Sequence, residues 1–127
     1  MDIDTGVAVV NPGSTTARVT YTLRDTAGAT ISMGHGVLAA GSHFARFVDQ
    51  LQEVASDFNL PPDFQFSTGF GSLEISSDQR LSILALRQII NQRDEALLTT
   101  TPTADLSQPL RSAPIYFPQF VDGGAGT

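Results

Sequence analysis

Ala17-Arg18-Val19-Thr20-Tyr21-Thr22-Leu23-Arg24 alternates without a break. Val19, Tyr21 and Leu23 fall on one side, and Arg18, Thr20, Thr22 and Arg24 on the other. A period of two marks a strand with one buried and one wet face. Asp25-Thr26-Ala27-Gly28 follows as a hairpin connection, with a glycine available for positive φ. Thr30–Met33 and Gly36–Leu38 carry the strand pattern on, and Gly34-His35-Gly36 between them predicts a bulge or bend.

The same reading extends in both directions. Upstream, the β-branched stretch Thr5–Val10 stops at Asn11-Pro12-Gly13-Ser14, a strong turn. Downstream, Gly71–Ser76 is a strand closed by the turn Ser76-Ser77-Asp78-Gln79. Leu81–Ile90 is long and mostly apolar, a length that suits a helix or a strand; its strand neighbours and the tight turn before it favour a strand. Asn91–Ala96 is polar and reads as a loop or a hairpin crown, and Leu97–Thr101 is a short β-prone stretch stopped by Pro102. Ile115–Val121 reads as a last strand, with Pro118 placing it at an edge or a bulge.

One segment reads as helix. Ser42 is placed to cap it, and Phe44, Phe47, Val48, Leu51 and Val54 recur at helical spacing, which predicts an amphipathic helix over Ser42–Ala55 with Phe47 in the core. Ser56–Gln65 is a loop interrupted by Pro61-Pro62, with Phe64, Phe66 and Phe70 as its anchors. About seven or eight short strands and one helix predict a two-sheet antiparallel β-sandwich.

The 127 residues hold enough chain for one domain with a real core. The net charge of −6 disfavours nucleic acid and anionic membrane as partners. There is no lysine, so a lysine–asparagine isopeptide staple is excluded, and no cysteine, which excludes disulfides and thiolate chemistry. No apolar run approaches the length of a membrane span.

The order of the strands carries an expectation about organisation. Ile115–Val121 runs into Gly123-Gly124-Ala125-Gly126-Thr127, a turn whose natural continuation resembles Thr5–Asn11. Residues 1–127 thus read as one sandwich repeat cut inside a hairpin, with 103–114 as linker and 115–127 as terminal strand and turn. On this reading the terminal strand pairs with Thr5–Val10, within one chain or by exchange between chains in a strand-swapped oligomer.

Four pieces carry a family resemblance: Tyr116-Phe117-Pro118-Gln119-Phe120-Val121-Asp122-Gly123-Gly124; Thr5-Gly6-Val7-Ala8-Val9-Val10-Asn11-Pro12; Val19–Leu38 with Asp25 and Gly28; and Gly71-Ser72-Leu73-Glu74-Ile75-Ser76 followed by Leu84-Ala85-Leu86-Arg87. Together they resemble a tandem β-sandwich repeat module of large secreted or cell-surface bacterial proteins, similar in architecture to immunoglobulin-like and fibronectin-like domains. In such modules the Phe-Pro strand precedes the Asn-Pro strand, so this chain runs out of phase with the family order. The resemblance implies a sandwich fold and a surface location, and brings no activity with it.

Candidate chemistry is sparse. Ser42, His35 or His43, and Asp49 make a Ser-His-Asp set on paper, but Gly-x-Ser-x-Gly is absent and Gly41-Ser42-His43 reads as a helix start. Glu53 with Asp57, and the adjacent Asp94 and Glu95, are acidic pairs either of which could be half of a glycosidase pair, among 13 acidic residues that read mostly as solvated surface. Asp2-Ile3-Asp4 together with Asp122-Gly123-Gly124 is a calcium candidate if the termini meet, without an EF-hand loop. Sugar-stacking platforms are limited to Tyr21 and Tyr116, since tryptophan is absent and Phe44, Phe47, Phe64, Phe66 and Phe70 are explained as core. The expectation is a non-catalytic extracellular structural or adhesion module, with no cofactor, metal or catalytic residue. Its partners would be neighbouring repeats of its own kind, and a surface glycan or protein. The alternative is a carbohydrate-binding module of a secreted polysaccharide-active enzyme.

Overall fold

The computed structural model describes residues 2–65, 71–109, 112–114 and 116. Among them are seven strands: β1 Asp2–Val10, β2 Ala17–Arg24, β3 Thr30–Leu38, β4 His43–Phe47, β5 Ser72–Ser77, β6 Ser82–Ile90 and β7 Ala96–Thr101. They form two antiparallel sheets, one ordered β4-β1-β6-β7 and the other β3-β2-β5. The two-sheet antiparallel architecture read from the sequence is the one observed. The alternation in Ala17–Arg24 does what it predicts: Ala17, Val19, Tyr21 and Leu23 are buried between the sheets. Val7 and Val9 face them from β1, and Tyr21 meets Phe44 of β4 edge-to-face at 6.2 Å between ring centroids.

The predicted helix is the main correction. Its first half, His43–Phe47, is strand β4, paired with β1 from Gly6↔Phe47 to Val10↔His43. Only Val48–Glu53 is helical, as a 3-10 helix. Ser42 does not cap it: its N–H donates to the Ala39 carbonyl and its own carbonyl accepts from Asn11 N–H. Phe44 and Phe47 keep a helical spacing and fall on opposite faces of the strand, but β1 requires a partner on that side. The stripe is still largely interior, since Val48 and Leu51 are fully buried. Phe47 differs: opposite Gly6 on the outer face, it lays its ring over that glycine and is only half-buried.

Gly34-His35-Gly36 does not bend β3 either. The strand pairs with β2 in unbroken register from Ser32 to Leu38, and the irregularity lies instead between Leu23 and Arg24. The glycines are there for room. The segment after the 3-10 helix crosses directly over them, so a Cβ on Gly34 would sit 2.5 Å from the Phe58 Cβ, and one on Gly36 would overlap the Val54 carbonyl oxygen. Ala55 and Phe58 are buried by this approach. Asn59 N–H donates to the Ser32 hydroxyl at 3.0 Å and pins the crossing. The connection between β4 and β5 thus closes one side of the sandwich.

Asn11 joins the pieces. It is completely buried, and every polar group on it has a partner. Its N–H donates to the Ser42 carbonyl and its carbonyl accepts from Gly41 N–H, both at 2.9 Å. Its side-chain amide donates to the Thr15 carbonyl at 2.8 Å and the Leu38 carbonyl at 3.0 Å, and its Oδ1 accepts from Gly13 N–H at 3.1 Å.

The terminal pairing expected from the sequence has no vacant edge here. Gly6–Val10 is flanked by β4 on one side and β6 on the other. Residues 115 and 117–127 lie outside the described residues, as do Phe66 and Phe70. Within the linker, Asp105 accepts from the Ser107 N–H and hydroxyl in a local turn.

Two outcomes follow. Asn11→Ala strands the Leu38 and Thr15 carbonyls and is expected to cost about 2–4 kcal/mol in chemical denaturation. Gly36→Ala forces the crossing segment off β3 and is expected to cost about 1–3 kcal/mol, whereas Gly28→Ala, at a turn with open space but φ +86°, carries only the backbone strain.

Candidate functional site

A shallow depression on the described surface gathers ionisable groups. It lies at the β3 margin of the β3-β2-β5 sheet, where outer-face Arg18, Thr20, His35 and Val37 meet Gly36, Glu53, Val54 and Ser56. The alternation of β2 and β3 places the polar members there: Thr20 and His35 are directly opposite across the two strands, as are Arg18 and Val37. The chain leaving the 3-10 helix brings Glu53 and Ser56 to the rim.

His35 is held by Asp57, which reaches round the edge of β3. One carboxylate oxygen accepts the His35 backbone N–H at 2.7 Å and the other meets ring Nδ1 at 2.8 Å. The backbone bond, and then the ring bond, hold the Asp57 carboxyl below the usual carboxylate range. An ionised carboxylate only accepts, so Nδ1–H is the donor in this contact, and in the neutral ring Nε2 is then an acceptor. That is the orientation of a general base. Among the described residues no hydroxyl is hydrogen-bonded to Nε2. What the geometry does achieve is closure of a strand edge: His35 N–H points away from β2, and Asp57 satisfies it.

The other residues singled out in the sequence are dispersed. His43 starts β4, opposite Val10 on the outer face of the other sheet, so the two histidines are on opposite sides of the sandwich. Ser42 is in the turn beneath Asn11. Asp49 is exposed on the 3-10 helix; Asp4's own burial first, and then the charge of Asp49, raise the Asp4 pKa against the opposing pull of the Thr5 N–H bond. Glu53 and Asp57 do not act as a pair, because Glu53 binds Arg46 Nε at 2.6 Å while Asp57 binds His35. Asp94 and Glu95 form the β6–β7 hairpin. Asp94 takes positive φ of 59°, and the Glu95 carboxylate accepts from the Asn91 amide at 2.7 Å.

Of the calcium candidate, Asp4 Oδ1 accepts Thr5 N–H at 2.8 Å, while the side chain of Asp2 and residues 122–124 lie outside the described residues. Among the described residues no group of three or more His, Asp or Glu is placed to hold a metal, and no helix is long and apolar enough to cross a membrane. Tyr21 is buried against Phe44, and burial pushes its hydroxyl up to about 12. It is no sugar platform. Tyr116 is 87% exposed.

A second surface was not singled out by the sequence reading. On β6 and β7, Leu84, Leu97 and Leu98 are 50%, 51% and 64% exposed, and Ile89, Ile90 and Leu86 are only half-buried. The register puts Leu84, Leu86 and Leu98 on one face with Ala8, Ala45 and Phe47. The signal in the sequence was that Leu84, Leu86 and Ile90 interleave with Ile83, Ala85 and Ile89, so that both faces of the strand are apolar.

In comparisons with known proteins, the chain matches no family model, no curated protein and no solved structure.

The Asp57 cap has a definite pH signature. A carboxyl whose folded pKa is lowered contributes stability that is present above its unfolded pKa and lost as pH falls through the folded value. Asp57→Asn is therefore expected to be less stable than wild type at neutral pH, with the gap closing below about pH 4. Denaturation curves taken from pH 7 to pH 2 test this, and a gap independent of pH would contradict it.

Proposed function

We propose that the chain is a non-catalytic extracellular module of structural or adhesive type, which spaces and packs against neighbouring modules of its own kind. The observation that carries this reading is the β6–β7 hairpin, whose leucines stay exposed while the opposite side of the sandwich is closed by the segment around Phe58. An apolar sheet face left open on a folded domain is the form that an inter-domain contact takes. The His35–Asp57 arrangement fits the same reading as a guarded strand edge. The resemblance to secreted bacterial repeat modules supports the extracellular assignment.

The carbohydrate-binding alternative has less behind it. A flat aromatic platform is its usual device; of the two tyrosines Tyr21 is in the core, which leaves the exposed Tyr116 as a single ring.

Two measurements on the purified protein separate the readings. Two copies joined head to tail are expected to melt at a higher temperature than one copy, by a few degrees, as packing between copies adds stability. A glycan array and a hydrolase panel are expected to stay blank. Glycan binding would favour the alternative, and turnover abolished by His35→Ala would make the protein an enzyme.

A further inference from the structure

We propose that the outer edge of β7 pairs antiparallel with the same strand of a second copy, joining two four-stranded sheets into one sheet of eight. This inference stands on the backbone geometry of β7 and holds whether or not the structural-module reading does.

The edges of these sheets are treated differently. On β4 the residues opposite β1 in hydrogen-bonded pairs are Phe44 and Arg46, a phase set by Asn11 N–H donating to Ser42, which leaves His43, Ala45 and Phe47 turned outward. Two of those outward groups are capped: the Ala45 carbonyl accepts from Arg46, and Phe47 N–H donates to Gln50 Oε1. On β3, Asp57 takes His35 N–H. The outer face of β5 bears Ser72, Glu74 and Ser76 and offers little apolar area. Among the described residues, nothing caps or covers β7, and all six of its residues are exposed. It carries no charge and no internal proline, two devices by which natural edges avoid pairing.

The phase of β7 follows from its hairpin. Asn91 N–H donates to the Glu95 carbonyl at 3.0 Å, so Glu95, Leu97 and Thr99 turn their backbone groups to β6. Ala96, Leu98 and Thr100 turn theirs outward. A two-fold axis perpendicular to the sheet keeps the outer faces of both copies on the same side, so only residues of one face can be opposite each other. Centred on Leu98, the register sets Leu98 against its own copy and Ala96 against Thr100, and all outward N–H and carbonyl groups of β7 pair. Centred on Thr99, the register sets Ala96 against Pro102, which has no N–H to give. Centred on Leu97, the register sets Thr100 against Asp94 in the hairpin turn, so of these the first alone pairs every outward group of β7. It also places Leu98 of both copies together, each opposite Gln88 and diagonal to Leu86, covering part of the open face.

Charge permits the approach. The chain carries −6, but from Leu81 to Thr101 Arg87 and Arg93 balance Asp94 and Glu95, so two acidic molecules meet here through neutral surface. One short strand pair is a small interface, and the association is expected to be weak and concentration-dependent.

Sedimentation velocity on the full chain tests this. The mean mass is expected to rise from 13.5 kDa towards twice that value as concentration goes from about 5 μM to about 500 μM. Leu98→Lys sets two ammonium groups across the axis and is expected to weaken association more than 10-fold, with an unchanged circular dichroism spectrum because Leu98 is 64% exposed. Val37→Lys, at a 71% exposed position on β3, is expected to leave association intact.

The register has its own readout, since the chain lacks cysteine. Leu98→Cys brings two Cα atoms to about 5.5 Å and is expected to give a disulfide-linked dimer on oxidation. Thr100→Cys leaves its two copies four residues apart, about 13 Å, and is expected not to. A constant monomer mass, association undiminished in Leu98→Lys, or equal cross-linking of Thr100→Cys would each overturn the proposal.

Discussion

The arrangement depends first on the buried amide of Asn11. A sandwich must bring chain from one sheet to the other without leaving backbone groups dry and unpaired. Here that crossing happens twice at nearly the same place, from β1 to β2 and from β3 to β4. A single side chain holds both: Asn11 binds Thr15 beyond the first turn and Leu38 at the end of β3, while its backbone exchanges bonds with Gly41 and Ser42 at the start of the second turn. Asparagine suits the position because it supplies two donors and an acceptor in one plane. Aspartate would turn carboxylate oxygens towards carbonyls. Gly41, at φ +71°, lets the second turn come close enough to be reached.

The second constraint is volume. The inner face of β3 presents Ser32, Gly34 and Gly36 where the central strand presents Leu23, Tyr21 and Val19. Small residues in a row leave a trough, and the connection from Val48 to Asn59 lies in it, bringing Val48, Leu51, Ala55 and Phe58 into the core. The trough and its filler depend on each other. Once the segment is seated, Asp57 is carried past the edge of β3, where it meets His35. The histidine–aspartate pair is thus a consequence of packing, and its chemistry is that of a cap.

The sequence was most legible where periodicity was unopposed. Ala17–Arg24 alternates over eight residues and is the strand expected; Leu81–Ile90, apolar on both faces, was assigned by its strand neighbours and the tight turn before it, and is also a strand. Gly28 and the Asn11-Pro12 turn were readable because few residues accept those backbone positions. His43–Phe47 was not, because phenylalanines at 44 and 47 fit a helix, and only the demand of β1 for a neighbour makes the segment a strand. Gly34 and Gly36 looked like a break, since a local pattern says nothing of the chain that crosses above. Phe58, among the largest buried side chains, sat in a stretch read as loop, with no periodic neighbours to flag it. Of the candidate site, His35 and Asp57 were noted separately; their meeting spans 22 residues and depends on the trough.

Topology also explains why one surface is left open. β1 was expected to offer an edge to the terminal segment, but it lies inside its sheet, with β6 on the side away from β4. Placing β6 there gives that sheet four strands against three in the other. Strands in neighbouring sheets pack at similar spacing, so three strands cannot cover four. The strand in excess is β7, at the margin, and Leu97 on its inner face has no strand of the other sheet opposite it among the described residues, while Leu98 is on the outer face, away from the other sheet. β6 differs: Ile83 and Ala85, beside β1, still reach the core, while Leu84 on the opposite face is half-exposed. The exposure of Leu97 therefore follows from strand order, and that of Leu84 and Leu98 from leucines placed on the outer face. Substituting single leucines would change how greasy the surface is, but only a change in strand order would remove the uncovered strand itself.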